Sequence, residues 1–163
     1  MKEFHITQGE LDNARSFFSD SSIELLTSHS IKINTSQPNF STVVLALERD
    51  GLDRPTVEDL LESIFVIYFA QTTLRGQKIN QISFGQILKN VKWFESFIKY
   101  YNKEKEFGSD NLSEIKFVRD EVVLKFALNT LKNLFGDISS IPKMVIFSYF
   151  AVLKAIEIGV EKN

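Results

Sequence analysis

Apolar residues recur at intervals of three and four along the middle of this chain. Six of them form what we call the apolar stripe: Phe84, Ile87, Val91, Phe94, Ile98 and Tyr101. This spacing puts the six side chains on one face of a long helix, and that face must be buried against other elements. The pattern predicts an amphipathic helix over residues 84–105, opened by a capping box at Ser83.

Start and stop signals predict further helices on both sides of this one. Thr7 and Glu10 form a capping box that opens a helix over residues 8–19. Pro55 stands where another helix begins, and Gly76 stands where that helix ends. Two more helices, each followed by a glycine, are expected over residues 115–134 and 142–158.

The region between the first helix and Gly51 carries mixed signals. Apolar and polar residues alternate over residues 30–34, as in a short strand, and Pro38 lies in an expected loop. For residues 40–51 we favour a helix that ends on Gly51. The alternative interpretation is a short β-hairpin within residues 30–48.

Together these elements predict a predominantly all-α fold, a bundle of five or six helices. The 163 residues suit a single helical domain, residues 1–163, with one core. Phenylalanine dominates the aromatic residues, with 15 Phe against 4 Tyr and 1 Trp. Because a phenyl ring has no polar group, most of these rings are expected inside that core.

The composition also bears on the compartment in which the chain functions. There is no cysteine, so disulfides, thiolate nucleophiles and the common structural zinc sites are excluded. Residues 1–5 lack the pattern of a signal peptide. The longest uncharged apolar stretches, residues 63–74 and 144–153, fall short of the ~20 residues that a membrane span needs. We therefore expect a cytoplasmic protein with no membrane segment.

Motifs that mark enzymes and cofactor sites are missing. His5 and His29 do not stand at metal-binding spacing from each other or from an acid. The sequence has no phosphate-binding loop, dinucleotide fingerprint, kinase signature or nucleophile elbow. We therefore expect a protein that is not an enzyme and that binds no cofactor and no metal.

Charge is unevenly distributed, although the net charge is only −2. Six acids face two bases over residues 48–62, whereas seven bases face two acids over residues 75–105. Acids at a helix start and lysines on an outer helix face are also typical of plain solvated surfaces. The candidate partner-binding residues are the acids Glu58, Asp59 and Glu62 and a basic stripe of Lys89, Lys92, Lys99 and Lys103.

By elimination, the sequence predicts a non-catalytic module that binds another protein. A small cytosolic inhibitor, an immunity-type protein that neutralises a toxin, or an adaptor subunit would all fit. The helix over residues 142–158 is apolar on almost its whole circumference, which exceeds what one packing face requires. That excess favours a homodimer formed through this helix.

Two other functions compete with this prediction. The basic helix over residues 84–105 carries Trp93 and Tyr100, and lysines with aromatic rings suit a nucleic-acid-binding subunit. The slightly acidic chain argues against nucleic acid as a partner. The phenylalanines could instead line a pocket for a lipid or another apolar small molecule, although filling the core is their commoner role.

Overall fold

The structure is a computed structural model that describes residues 5–104 and 117–161. All regular structure in these two ranges is helical, which confirms the all-α prediction. The described residues form seven α-helices instead of the expected five or six, with a π-helical turn (Ala70–Leu74) and a 3-10 turn (Ile138–Ser140). In chain order they are α1 (Gln8–Asp20), α2 (Ile23–Ser36), α3 (Pro38–Arg49), α4 (Arg54–Phe69), α5 (Phe84–Glu104), α6 (Glu121–Phe135) and α7 (Lys143–Glu161).

The β-hairpin considered for residues 30–48 is wrong, because α2 and α3 occupy this region. Ser22 caps α2 by accepting the Leu25 N–H at 3.3 Å. Pro38 is the first residue of α3, so the expected loop is reduced to Gln37 between the two helices. The alternation over residues 30–34 is therefore a short stretch of helix surface, in which helix capping outweighs strand propensity.

Gln37 fixes the connection that leads into α5. Its Oε1 accepts the Ile82 N–H at 2.8 Å, and its Nε2 donates to the Asn80 carbonyl at 3.1 Å. Asn39 adds a hydrogen bond from Nδ2 to the Ile82 carbonyl at 2.8 Å. The side chain of Gln37 is fully buried, and these bonds satisfy its amide. They also hold the start of α5 close to the start of α3.

Both capping boxes that the sequence predicts are present. The Thr7 N–H donates to Glu10 Oε2 at 2.8 Å, and the Ser83 N–H donates to Gln86 Oε1 at 2.8 Å. Each hydroxyl accepts the N–H three residues later in return. The helix that begins near Pro55 ends as predicted, because Gly76 follows the π-helical turn with φ of 64°.

Two predicted boundaries are wrong. The helix expected from residue 115 begins at Glu121, where Asp120 is the N-cap, and residues 117–119 precede it without helical structure. The last helix does not end at residue 158, because α7 continues through Gly159. A Cβ at Gly159 would lie 2.9 Å from Cγ2 of Ile79, so this glycine permits close packing inside the helix rather than ending it.

The last helix, α7, lies in the middle of the fold. Helices α3, α4 and α5 pack against it, and every residue from Val145 to Val160 is buried or half-buried. One copy of the chain therefore covers the apolar circumference that favoured a homodimer. In the described ranges, no helix combines the length and the apolar character needed to cross a membrane.

Candidate functional site

An open groove of about 510 Å³ lies between α3 and α5, above the first turns of α7. Both helices pack against α7, and its residues Met144 and Ser148 contribute to the groove. Buried side chains of the core, including Val43 and Ile87, form its base. The groove is therefore a gap between two helices that share a third one as their support.

Four large apolar side chains surround this groove and remain open to solvent. Leu45 is 42% exposed, Phe84 47%, Leu88 38% and Met144 43%. Single exposed apolar residues are normal on any protein surface, but four around one concavity form a continuous patch. Such a patch, which we call the apolar groove, is typical of an interaction site.

Most of the apolar stripe on α5 is buried as predicted. The side chains of Ile87, Val91, Phe94 and Ile98 all belong to the core. Phe84 was expected there too, but it lies in the first turn of α5, where the stripe faces the groove instead of a neighbouring helix. The side chain of Tyr101 lies outside the described part of the structure.

Charged residues border the apolar groove. Arg49 and Asp50 line it at the end of α3. Lys92 is exposed one helical turn after Leu88, and Lys143 is exposed directly before Met144, but neither lysine lines the groove. The groove itself therefore carries one charge of each sign.

The basic stripe lies on the solvent face of α5. Lys89, Lys92 and Lys99 are exposed, and none of them makes an ion pair with a residue that the structure describes. Lys103 belongs to α5 by its backbone, and its side chain lies outside the described part. Glu95 lies three residues after Lys92 and four before Lys99 on the same helix, so the stripe is basic but contains one acid close to these lysines.

The acidic candidates lie on α4, away from the apolar groove. Glu58 forms an ion pair with Arg54, with Nε and Oε1 at 2.9 Å. Asp59 and Glu62 line a second groove of about 570 Å³, between α1, α4 and α6. Partial burial in this groove, together with the neighbouring charge of Asp59, raises the pKa of Glu62.

The second groove has mixed character. Arg15 places its guanidinium over the ring of Phe126, 5.8 Å from the ring centre. Ser63 lies at its base and is hydrogen-bonded to Tyr149 in the core, with the two oxygens 2.8 Å apart. In residues 5–104 and 117–161, no group of three or more His, Asp or Glu side chains is arranged to hold a metal ion.

Leu45, Leu88 and Met144 are not among the site residues that the sequence predicts. A usable signal exists for Leu88, which is apolar yet falls outside the buried stripe of its own helix. Met144 likewise stands among the surplus apolar residues of the last helix. These side chains surround one groove because of the way α3 and α5 are arranged on α7. No local sequence pattern specifies that arrangement.

Comparison of the chain with family models, with curated proteins and with solved structures finds no match. The function therefore has to be argued from the residues and the geometry of these surfaces.

Proposed function

We propose that this protein is a non-catalytic binding module that holds another protein in the apolar groove. One observation carries the proposal: Leu45, Phe84, Leu88 and Met144 converge on one groove while each keeps more than a third of its surface exposed. Covering such a patch on association removes apolar surface from water, which is the main favourable term in protein binding. Aromatic residues and methionine are also enriched at interfaces.

An amphipathic helix of the partner is the occupant that suits the groove best. Two helices border the groove and a third supports it, which is the arrangement used to accept a helix with apolar anchors at spacings of three and four. Arg49 and Asp50 place one charge of each sign at the border of the groove. The partner helix is therefore expected to carry charged residues of both signs beside its apolar stripe.

An apolar small molecule suits the groove less well. The volume falls within the usual range of small-molecule sites, about 300–1,000 Å³. Such sites enclose most of the surface of the ligand, however. Here Phe84 and Met144 are nearly half exposed, so a small ligand would stay largely in contact with water. A long partner helix covers these side chains more completely.

A comparison of three protein forms tests the proposal. Tagged wild type, Leu88→Asp and Ile31→Asp are purified from native cells, and the co-purifying proteins are identified by mass spectrometry. Ile31 is the matched control, because it is 60% exposed on α2 and lies outside the groove. A partner that binds the groove is retained by wild type and by Ile31→Asp and is lost with Leu88→Asp.

Two outcomes would contradict the proposal. If Leu88→Asp retains every protein that wild type retains, the groove is not the binding surface. If wild type retains no protein in a stoichiometric amount, the binding module itself is in doubt. Light scattering of the three purified forms tests whether a second copy of the chain occupies the groove. A wild-type dimer that becomes a monomer in Leu88→Asp would show that it does.

A further inference from the structure

Trp93 and Tyr100 extend from α5 into solvent, although most aromatic rings of the described residues are buried. Trp93 is 55% exposed and Tyr100 is 65% exposed. They stand seven residues apart, which is two helical turns, so both lie on one side of α5 and about 10 Å apart along its axis. They form a row of two rings. Around the helix, the basic stripe lies between this row and Leu88.

A stacking contact fixes the orientation of Trp93. Its indole lies parallel to the ring of Phe97, with ring centres 5.4 Å apart and an angle of 17° between the planes. Phe94 meets the indole edge-on at 5.1 Å. Phe97 is half-buried and Phe94 is fully buried, so the indole rests on anchored neighbours. An exposed ring that is already ordered loses little conformational entropy when a planar ligand stacks on it.

The lysines of the basic stripe stand beside this row. Lys89 lies one turn before Trp93 on the same side of the helix, and Lys99 precedes Tyr100 in the adjoining basic stripe. Together with Lys92 they are exposed and make no ion pair within the part of the chain that the structure describes. Ordered aromatic faces and exposed ammonium groups are thus combined on one surface, in which Glu95 is the single acid between Lys89 and Tyr100.

We infer that this surface of α5 binds single-stranded nucleic acid. Bases stack on Trp93 and Tyr100, while the ammonium groups of Lys89, Lys92 and Lys99 contact the phosphates. Stacking requires unpaired bases, because the faces of the bases are not accessible within a duplex. The inference is independent of the apolar groove and adds a second kind of partner to the proposed protein-binding function.

The composition of the surface favours nucleic acid over two other partners. Lysine is depleted at the centres of protein interfaces, where aromatic residues concentrate, whereas phosphates require cations beside the rings. A membrane-binding helix inserts a broad apolar face, whereas most of the apolar face of α5 is buried in the core, including Ile87, Phe94 and Ile98. The net charge of −2 argues against nucleic acid, whereas the exposure of both rings beside exposed lysines favours it locally on α5.

The single tryptophan of the chain makes the inference directly testable. Titration with an oligothymidylate at low salt is expected to quench the fluorescence of Trp93. Anisotropy of the fluorescein-labelled oligonucleotide is expected to show that Trp93→Ala weakens binding by about 5- to 150-fold, the range that one stacked base contributes. Trp93→Phe is expected to retain most of the affinity, and Ile31→Ala is the matched control for loss of an exposed apolar side chain.

The lysines are tested by the dependence of binding on salt. Replacing Lys89, Lys92 and Lys99 together with Gln is expected to reduce the slope of log K against log salt by about 2, because each phosphate contact on a single strand contributes about 0.7. All three residues are exposed, and circular dichroism checks that each variant remains folded. Leu45→Ser changes the apolar groove on α3, outside the basic stripe, and is expected to bind the oligonucleotide as wild type does, which separates this surface from the apolar groove.

Three results would overturn the inference. The first is an absence of oligothymidylate binding at low salt. The second is equal affinity of wild type and Trp93→Ala for the oligonucleotide. The third is a change in Trp93 fluorescence with vesicles of anionic phospholipid but not with the oligonucleotide, which would identify the surface as a membrane-binding one.

Discussion

The hydroxyl oxygen of Tyr149 on α7 lies 2.8 Å from Oγ of Ser63 on α4, inside the core. Ser63 uses its own hydrogen to donate to the Leu60 carbonyl at 2.6 Å, so Tyr149 is the donor to Ser63. Complete burial, which disfavours the charged phenolate, raises the pKa of Tyr149 to about 12. The folded protein therefore keeps Tyr149 neutral at a pH where the unfolded chain ionises it.

This shift predicts a loss of stability at alkaline pH. The contribution of Tyr149 is fully present below its unfolded pKa of about 10 and is lost as the pH rises toward 12. The size of the loss is about 3 kcal/mol, from about two pKa units at 1.36 kcal/mol each. Denaturant unfolding across this pH range should therefore show a steeper decline for wild type than for Tyr149→Phe. Tyr100→Phe is the exposed control and should follow the wild-type curve.

The buried part of the apolar stripe predicts a large effect of truncation. Phe94 is fully buried and meets the ring of Phe117 edge-on at 4.7 Å. Phe94→Ala should lower the free energy of unfolding by about 3–5 kcal/mol, because it removes apolar contacts and leaves a cavity. Lys99→Gln on the exposed face should change it by less than about 0.5 kcal/mol. Equal effects of the two substitutions in urea unfolding would show that the stripe is not a core element.

The hydrogen bonds of Asp120 link the start of α6 to Ile6, near the beginning of the described chain, and predict a stability effect. Its Oδ1 accepts the N–H groups of Val122 and Val123 at 2.8 and 3.0 Å, and its Oδ2 accepts the Ile6 N–H at 2.6 Å. Asp120→Ala removes a helix cap and leaves the buried Ile6 N–H without its acceptor, so a loss of about 2–4 kcal/mol is expected.

The control for Asp120 is Asp53→Ala, because Asp53 caps α4 at an exposed position without a long-range bond. The expected loss for this control is about 1 kcal/mol. Thermal or denaturant unfolding measures both variants. A loss for Asp120→Ala no larger than for Asp53→Ala would show that the bond to Ile6 contributes nothing to stability.

The close packing of Gly159 on Ile79 predicts that substitutions at these two residues have coupled effects on stability. Alanine is favoured over glycine in a helix interior by about 1 kcal/mol, but its Cβ at residue 159 would lie 2.9 Å from Cγ2 of Ile79. Gly159→Ala should therefore give no stability gain in the wild-type background and a gain approaching 1 kcal/mol in an Ile79→Ala background. A double-mutant cycle measures this coupling. Strict additivity would contradict the packing role of Gly159.

The elements that the sequence predicts well are those defined by local hydrogen bonding. The capping boxes at Thr7 and Ser83 need only residues three positions apart, and both form as expected. The interior of α5 follows from its own spacing for the same reason. Gly159 shows the limit of such local rules, because the sequence pattern cannot distinguish a glycine that ends a helix from one that permits close packing with Ile79.

The surfaces proposed as sites could not be predicted to the same extent. The exposure of the lysines followed from the amphipathic pattern, but the apolar groove depends on the separation of α3 and α5 over α7. Trp93 lies between these two cases, because its position outside the apolar stripe and beside the basic stripe already indicates a ring on the outer face. Its stacking on Phe97 and its exposure of 55% depend on the packed structure.

The central position of α7 has a consequence for the order of events during synthesis. Helices α3, α4 and α5 reach the ribosome exit before the helix that they enclose. Until α7 follows, their apolar faces lack the surface against which they pack, so the nascent chain holds helices without a closed core. A chain that stops before Lys143 should accordingly resemble a compact, loosely packed state with exposed apolar surface. Cooperative folding of this protein then begins only after its last helix has been made.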